Sequence, residues 1–147
     1  MADPHDIPDD PGRHGVVAIC PREDGRLLVI RRALTVVAPL VYCFPGGGIE
    51  PTDASIEAAL IRECQEELGI TIRPIRPLWQ CVTAWKVKLD WYLAALPDGE
   101  FTLAPNPAEV DSVHWMTAEE MAECDELLDS NSEFLRLVIE GEIRLDL

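Results

Sequence analysis

The stretch Arg62-Glu63-Cys64-Gln65-Glu66-Glu67-Leu68-Gly69-Ile70 decides how this chain folds. It closes a run from Ala54 to Leu68 that contains neither Pro nor Gly and is rich in helix-forming residues. Gly69 stands where a left-handed residue ends a helix. At roughly 100° per residue, Glu63, Glu66 and Glu67 share a narrow sector. Ala54, Ala58, Ile61, Cys64 and Leu68 fall on the opposite side. The spacing predicts one apolar face packed on a sheet and another face presenting three carboxylates. Like charges at i, i+3 and i+4 repel by roughly a few tenths of a kcal/mol each. With only Arg62 nearby, the pattern implies a missing cation, and hard divalent ions take oxygen ligands of this kind.

An acidic helix face alone is compatible with plain solvation. The sequence just before the helix changes the weighting. Pro45-Gly46-Gly47-Gly48 reads as a loop whose backbone N–H groups favour anions, so Gly46, Gly47 and Gly48 are candidate phosphate binders. Pro51-Thr52-Asp53 continues it and offers Thr52 or Asp53 as the helix N-cap. A phosphate-friendly loop thus adjoins a metal-friendly face.

Outward from this centre, Val16–Cys20 and Leu27–Ile30 are short apolar runs separated by Pro21-Arg22-Glu23-Asp24-Gly25, which predicts a β-hairpin. A loop over 33–41 leads to a short strand at Tyr42–Phe44. Beyond Gly69, the segments Ile70–Ile75, Leu78–Trp85 and Val87–Leu96 read as strands, and Pro97-Asp98-Gly99-Glu100 as a turn. Val110–Met116 is expected as the last strand. Thr117 should cap a short acidic helix, and Asn131 or Ser132 should start a C-terminal helix to about Ile143. Residues 1–14, with Pro4, Pro8 and Pro11 among polar neighbours, read as a flexible N-terminal tail. One domain then covers 15–147. Strands, a helix, more strands and terminal helices do not make a regular βαβ alternation. The fold class expected is α+β, a mixed β-sheet with helices packed on it.

Composition narrows the function. Twelve Lys+Arg against 27 Asp+Glu give a net charge of −15, which repels nucleic-acid backbones and anionic membranes. No general nucleic-acid binding and no membrane association are expected. Five scattered cysteines without a C-x-x-C pair read as reduced thiols, and the N-terminus lacks a signal-peptide pattern, so the cytoplasm is the default. No G-x-S-x-G elbow, Walker loop or H-E-x-x-H appears. His5, His14 and His114 are isolated and read as structural or solvent-facing.

The central stretch resembles the Nudix box, G-x5-E-x7-R-E-U-x-E-E-x-G-U with U a bulky aliphatic. Arg62, Glu63, Glu66, Glu67, Gly69 and Ile70 fill their slots, and Gly48 fills the first slot counted back from Arg62. Ala54 stands in the first Glu slot and Cys64 in the first aliphatic slot. Counting forward from Gly47 puts Asp53 in the Glu slot with one residue too many before Arg62. The resemblance implies an α/β/α sandwich and hydrolysis of a pyrophosphate bond in a nucleoside diphosphate linked to another moiety, or in a nucleoside triphosphate, with Mg²⁺ or Mn²⁺. By the same likeness Glu66 and Glu67 bind metal, Glu63 binds metal or helps activate water, and Arg62 orients the carboxylates. Asp53 or Glu50 are the replacements for the missing Glu, and Glu109 is the candidate for a further acid from a late loop. The implied partner is a small nucleotide-like diphosphate, and an oligomer such as a homodimer is left open. Two rivals remain: a nucleotide-binding sensor that does not hydrolyse, and an acidic interaction module.

For substrate contacts, Arg31 and Arg32 close the second strand on opposite sides, and either is a candidate for phosphate, against the alternative of a strand-end charge. Phe44, Tyr42 or a tryptophan (79, 85, 91 or 115) could stack on a base, against the alternative of core packing.

Overall fold

The computed structural model describes residues 13–84 and 86–146. Its elements are β1 (His14–Ile19), β2 (Leu27–Arg32), β3 (Tyr42–Cys43), β4 (Gly46–Gly48), α1 (Ile56–Leu68), β5 (Arg73–Val82), β6 (Lys88–Ala95), β7 (Val110–Met116), α2 (Ala118–Ala122) and α3 (Asp129–Ile139). A four-stranded sheet runs β4-β1-β6-β5 and a three-stranded antiparallel sheet runs β3-β2-β7. The first sheet is mixed, because β1 and β6 lie parallel while its other pairs are antiparallel.

The unbroken apolar runs of β1 and β2 follow from burial on both faces. Val16, Ala18 and Cys20 pack with Leu28 and Ile30 against Leu60, Cys64 and Leu68 of α1. The alternate residues Val17, Ile19, Leu27 and Val29 pack with Trp91 against Met121 of α2 and Phe134 and Leu135 of α3. Trp91 stacks on Phe134 with ring centroids 4.6 Å apart and planes 12° from parallel. Helices thus cover both sides of the strands. The domain is an α/β/α sandwich of the α+β class.

Several expectations are corrected. The apolar runs at 16–20 and 27–30 are joined by a short hairpin, held by the Pro21–Leu27 bridge, Arg22 N–H to Arg26 C=O at 2.7 Å and Leu28 N–H to Cys20 C=O at 3.1 Å. Beyond it the strands enter different sheets, since each finds a longer partner elsewhere. Helix α1 begins at Ile56, not Ala54. Its cap is Ser55, whose Oγ accepts from Ala58 N–H at 3.0 Å, so neither Thr52 nor Asp53 serves. Gly69 ends it in the left-handed conformation, φ 66°. Two expected strands, 70–75 and 78–85, contribute to a single strand, β5. Its Pro74 and Pro77 are tolerated because it is the sheet edge and is irregular beside both. Thr117 caps α2, as the sequence suggested, and the structure adds a reciprocal bond pair with Glu120. Helix α3 starts earlier and stops earlier than expected, at Asp129 and Ile139. Of the expected tail, residues 1–12 lie outside the described residues, and His14 already stands in β1.

Candidate active site

Helix α1 places its carboxylates differently from the sequence picture. The sector it buries is wider than the apolar one and takes in Glu63 and Glu67 beside Ala59, Leu60, Cys64 and Leu68. Glu63 is 9% exposed and Glu67 6%, whereas half of the Glu66 side chain is open to solvent. The three glutamates therefore differ in burial, while Glu63 and Glu66 meet on the shared Arg62 Nη1. Two are held under β4, and the third stays on the outside with Arg62.

The glycines explain why two carboxylates fit there. Gly46, Gly47 and Gly48 form strand β4 on β1, not the loop the sequence suggested. A Cβ on Gly47 would sit 2.4 Å from Glu63 Oε2, and one on Gly46 would sit 2.1 Å from Val16 C=O. Only glycine lets the helix carboxylates and the β1 backbone approach this closely. Gly46 N–H donates to Glu67 Oε1 at 2.9 Å. That N–H, expected to meet phosphate, is committed to a carboxylate.

Arg62 ties the cluster together. Its guanidinium donates to both oxygens of Asp53 at 2.9 Å, to Glu63 Oε1 at 3.0 Å, to Glu66 Oε2 at 3.1 Å and to Gly48 C=O at 2.9 Å. Asp53 Oδ2 also accepts from Glu50 N–H at 2.8 Å, which folds the loop before the helix onto the arginine. Asp53 is thus the side chain that anchors Arg62, while Glu50 stays 3.8 Å from it.

Glu109 arrives from 42 positions beyond Glu67 in the chain, and the C-terminal end of α1 guides it. Carbonyls left open by the last helical turn accept from this segment, Glu67 C=O from Asn106 N–H at 2.9 Å and Leu68 C=O from Ala104 N–H at 2.8 Å. The next turn, closed by Glu109 N–H to Asn106 C=O, aims Glu109 so that its charge acts on both Glu63 and Glu67. Its Oε2 is buried and has no hydrogen-bond partner.

The electrostatics are those of a site short of positive charge. Burial, chiefly, raises the Glu63 carboxyl above its ordinary range, with Arg62 opposing and Glu66 and Glu109 adding to it. Burial also pushes Glu67 up to about 8 against the opposing Gly46 N–H, and Glu63 and Glu109 raise it further. Glu66 and Glu67 lie in the last turn of α1, where the helix dipole favours cations and no basic residue is present.

Among the described residues, no three His, Cys, Asp or Glu side chains stand at the spacing of a formed metal centre. The donor set nonetheless suits a hard cation. Glu63, Glu67 and the unpartnered oxygen of Glu109 are carboxylates that repel one another, with Arg62 paired to Glu63 and Arg32 acting on Glu67. The buried thiols offer no rival nucleophile, since burial pushes Cys20 up to about 12 and Cys43 up to about 11.

A cleft of about 640 Å³ opens beside β4, between the two sheets. Arg32 lines it and interacts electrostatically with Glu67, with its Nε bound to Val37 C=O at 2.8 Å. Arg31 points elsewhere, to Asp111 at 3.2 Å and over the Tyr42 ring. Phe44 lies on the cleft wall but is 3% exposed and edge-on to Trp91 and Phe134, which makes it core packing. Its N–H donates to buried Asn131 Oδ1 at 3.1 Å. Asn131, His14 and Asp90 escaped sequence reasoning, because no local pattern distinguishes them from ordinary polar residues.

Fold and site together define a class, α/β/α domains whose central helix buries carboxylates beneath a glycine strand. The chain belongs to the Nudix family: the NUDIX domain model matches residues 12–138. It is 28% identical over 135 residues to the m7GpppN-mRNA hydrolase NUDT17 of Homo sapiens, covering 78% of this chain and 41% of that one. The chain spans less than half the length of the curated relatives it matches. Among solved structures, the MutT protein of Methanosarcina mazei Go1 superposes with a TM-score of 0.74 at 21% identity, over 88% of this chain and 94% of that one. An ADP-ribose pyrophosphatase of Streptococcus suis 89-1591 superposes at 0.65 with 20% identity, over 88% and 91%. These structural likenesses concern the fold.

Proposed function

We propose that this domain is a divalent-metal-dependent hydrolase that cleaves a pyrophosphate bond in a nucleoside diphosphate linked to another moiety, or in a nucleoside triphosphate, by attack of water at phosphorus. One observation carries the reading. Glu63 and Glu67 are buried side by side, with the unpartnered Glu109 Oε2 acting on both, next to a cleft. The names of two relatives, a hydrolase and a pyrophosphatase, support it.

Glu63, Glu66 and Glu67 would hold the ion, Mg²⁺ or Mn²⁺. Bound there, it supplies positive charge opposite the diphosphate oxygens and makes water more acidic. The chain does the rest by position. Arg62, fixed by Asp53, holds Glu63 and Glu66 in place. The Gly46 N–H fixes one oxygen of Glu67. Glu109, on its own turn, takes the proton from the attacking water. Arg32 faces the negative charge that develops on the substrate.

The test is a panel of nucleoside triphosphates and substituted nucleoside diphosphates, assayed with and without Mg²⁺ or Mn²⁺. The expected result is metal-dependent release of phosphate or a mononucleotide, lost by roughly 100-fold or more in Glu67→Gln. Hydrolysis that ignores EDTA overturns the reading. So does nucleotide binding without turnover, which would mark a sensor. No thermal stabilisation by metal plus nucleotide would mark an interaction module instead.

A further inference from the structure

Arg31 and Arg32 end β2 side by side but are held in opposite ways. Arg31 donates to Asp111 Oδ2 at 3.2 Å, and that carboxylate neutralises it. Arg32 Nε donates to Val37 C=O at 2.8 Å, and among the described residues no carboxylate stands within ion-pair distance of it. A carbonyl orients a guanidinium without cancelling its charge. Arg32 therefore lines the cleft both fixed and cationic, in a chain of net charge −15.

The Val37 carbonyl is aimed by an unusual backbone. Ala38 and Leu40, on either side of Pro39, have φ of 53° and 57°, in the left-handed region that residues other than glycine disfavour. Burial of an apolar loop does not account for it, since Leu34 is 72% exposed and Val37 51%. Such backbone persists only where other contacts hold it, and it gathers at functional sites. Here the contacts are those of Arg32, whose N–H donates to Val41 C=O and whose C=O accepts from Leu40 N–H, both at 2.9 Å. The base of the loop is fixed by Ala33 N–H to Glu109 C=O at 3.0 Å, so the same loop joins Arg32 to the backbone of Glu109.

We infer that the turn over 37–40 positions Arg32 for the reaction, with Leu40 as the positioning residue. Its left-handed backbone keeps the Val37 carbonyl on Nε, which leaves Nη1 and Nη2 to meet a phosphate oxygen in the cleft. This rests on the reading of the Glu63–Glu67 cluster as the diphosphate site. The cleft is lined by Val37 and Ala38 but not by Leu40, so Leu40 acts through Arg32 and not by touching the ligand.

Two substitutions separate backbone from side chain. Leu40→Val stays apolar but is β-branched and resists positive φ, whereas Leu40→Asn is polar and adopts it readily. Binding of ADP is measured by calorimetry with Ca²⁺, and turnover of the best-hydrolysed nucleotide with Mg²⁺. Leu40→Val should weaken ADP binding and lower kcat/KM by about tenfold each, the worth of one charge-assisted contact. Leu40→Asn should stay within about twofold of wild type in both. Pro39→Gly, which loosens an exposed turn without a clash, should lose about threefold, and it decides the matter if Leu40→Val does not fold. In an Arg32→Gln background neither Leu40→Val nor Pro39→Gly should cost more than about a further twofold, because all act through one contact. Equal losses in Leu40→Val and Leu40→Asn overturn the inference, as do losses that add to that of Arg32→Gln. Wild-type behaviour of both Leu40→Val and Pro39→Gly overturns it too. The expected ADP losses without turnover of any nucleotide overturn the hydrolase reading and leave the positioning role standing. Turnover with none of these losses does the reverse, and absence of both ADP binding and turnover overturns both.

Discussion

Arg62 grips Asp53 through two parallel hydrogen bonds, Nε to Oδ1 and Nη2 to Oδ2, both 2.9 Å. The pair joins the loop before α1 to its second turn, nine residues away, and leaves Nη1 free to hold Glu63 and Glu66. The fork geometry of guanidinium is what allows this, and lysine cannot reproduce it. The Arg62 proton is held well above its ordinary range, chiefly by Asp53. Arg62→Lys and Asp53→Asn should each lower kcat by roughly 10- to 100-fold through misplaced carboxylates, with substrate KM little changed. Steady-state kinetics on a hydrolysed substrate check it, and wild-type kcat in both variants contradicts it.

Glu67 gives the protein a pH dependence that metal should remove. Its folded-state pKa of about 8 lies above the ordinary 4.5, so the fold favours the neutral carboxyl. The associated stability is complete below 4.5 and is lost progressively as pH rises to about 8. In EDTA, urea midpoints should fall across this window, with Glu67→Gln more stable than wild type by about 2–4 kcal/mol at pH 8.5. Saturating Mg²⁺ should close that gap, because an ion bound only to the folded state stabilises it. Parallel pH curves for the two proteins would refute this assignment.

Gly47→Ala places a methyl 2.4 Å from Glu63 Oε2 and 2.5 Å from its Cδ. The obstructing atoms are the end of a flexible side chain, so Glu63 swings aside and the domain still folds. Hydrolysis should drop by roughly 100-fold while far-UV circular dichroism matches wild type. Retained activity would mean that Glu63 need not occupy this position.

Glu109→Gln removes the carboxylate whose Oε2 lacks a partner and whose charge raises both Glu63 and Glu67. Turnover should fall, and metal-free thermal stability at pH 8 should rise, because a repelling charge is gone. A merely solvated glutamate would move neither quantity.

Phe134 is fully buried between Trp91, Trp79 and Phe44. Phe134→Ala should cost about 3–5 kcal/mol in urea unfolding. Because Asn131 and Ser130 line the cleft from the same helix, ligand affinity should weaken with it. A loss below 1 kcal/mol, on the order of a surface substitution, would show that this ring is not a core element.

Local patterns made much of this protein legible. Fifteen residues without Pro or Gly, stopped by Gly69, were enough for α1, since helix hydrogen bonds close within four residues. Thr117 likewise announced α2. The spacing of Arg62, Glu63, Glu66 and Glu67 carried the resemblance to the family whose model matches residues 12–138.

Tertiary structure decided what depends on distant partners. The doubly buried runs of β1 and β2 look alike from within, and only their partners β6 and β7 assign them to different sheets. Angular position predicted a solvent-facing carboxylate row, but the close approach of β4 drew Glu63 and Glu67 inside and left Glu66 out. Glu109, a candidate through the family resemblance, comes near Glu63 and Glu67 because the 104–109 segment caps the open carbonyls of α1. Sequence fixes what a few neighbouring bonds can fix; which carboxylates share a buried space is set by packing between elements, and that is a property of the whole fold.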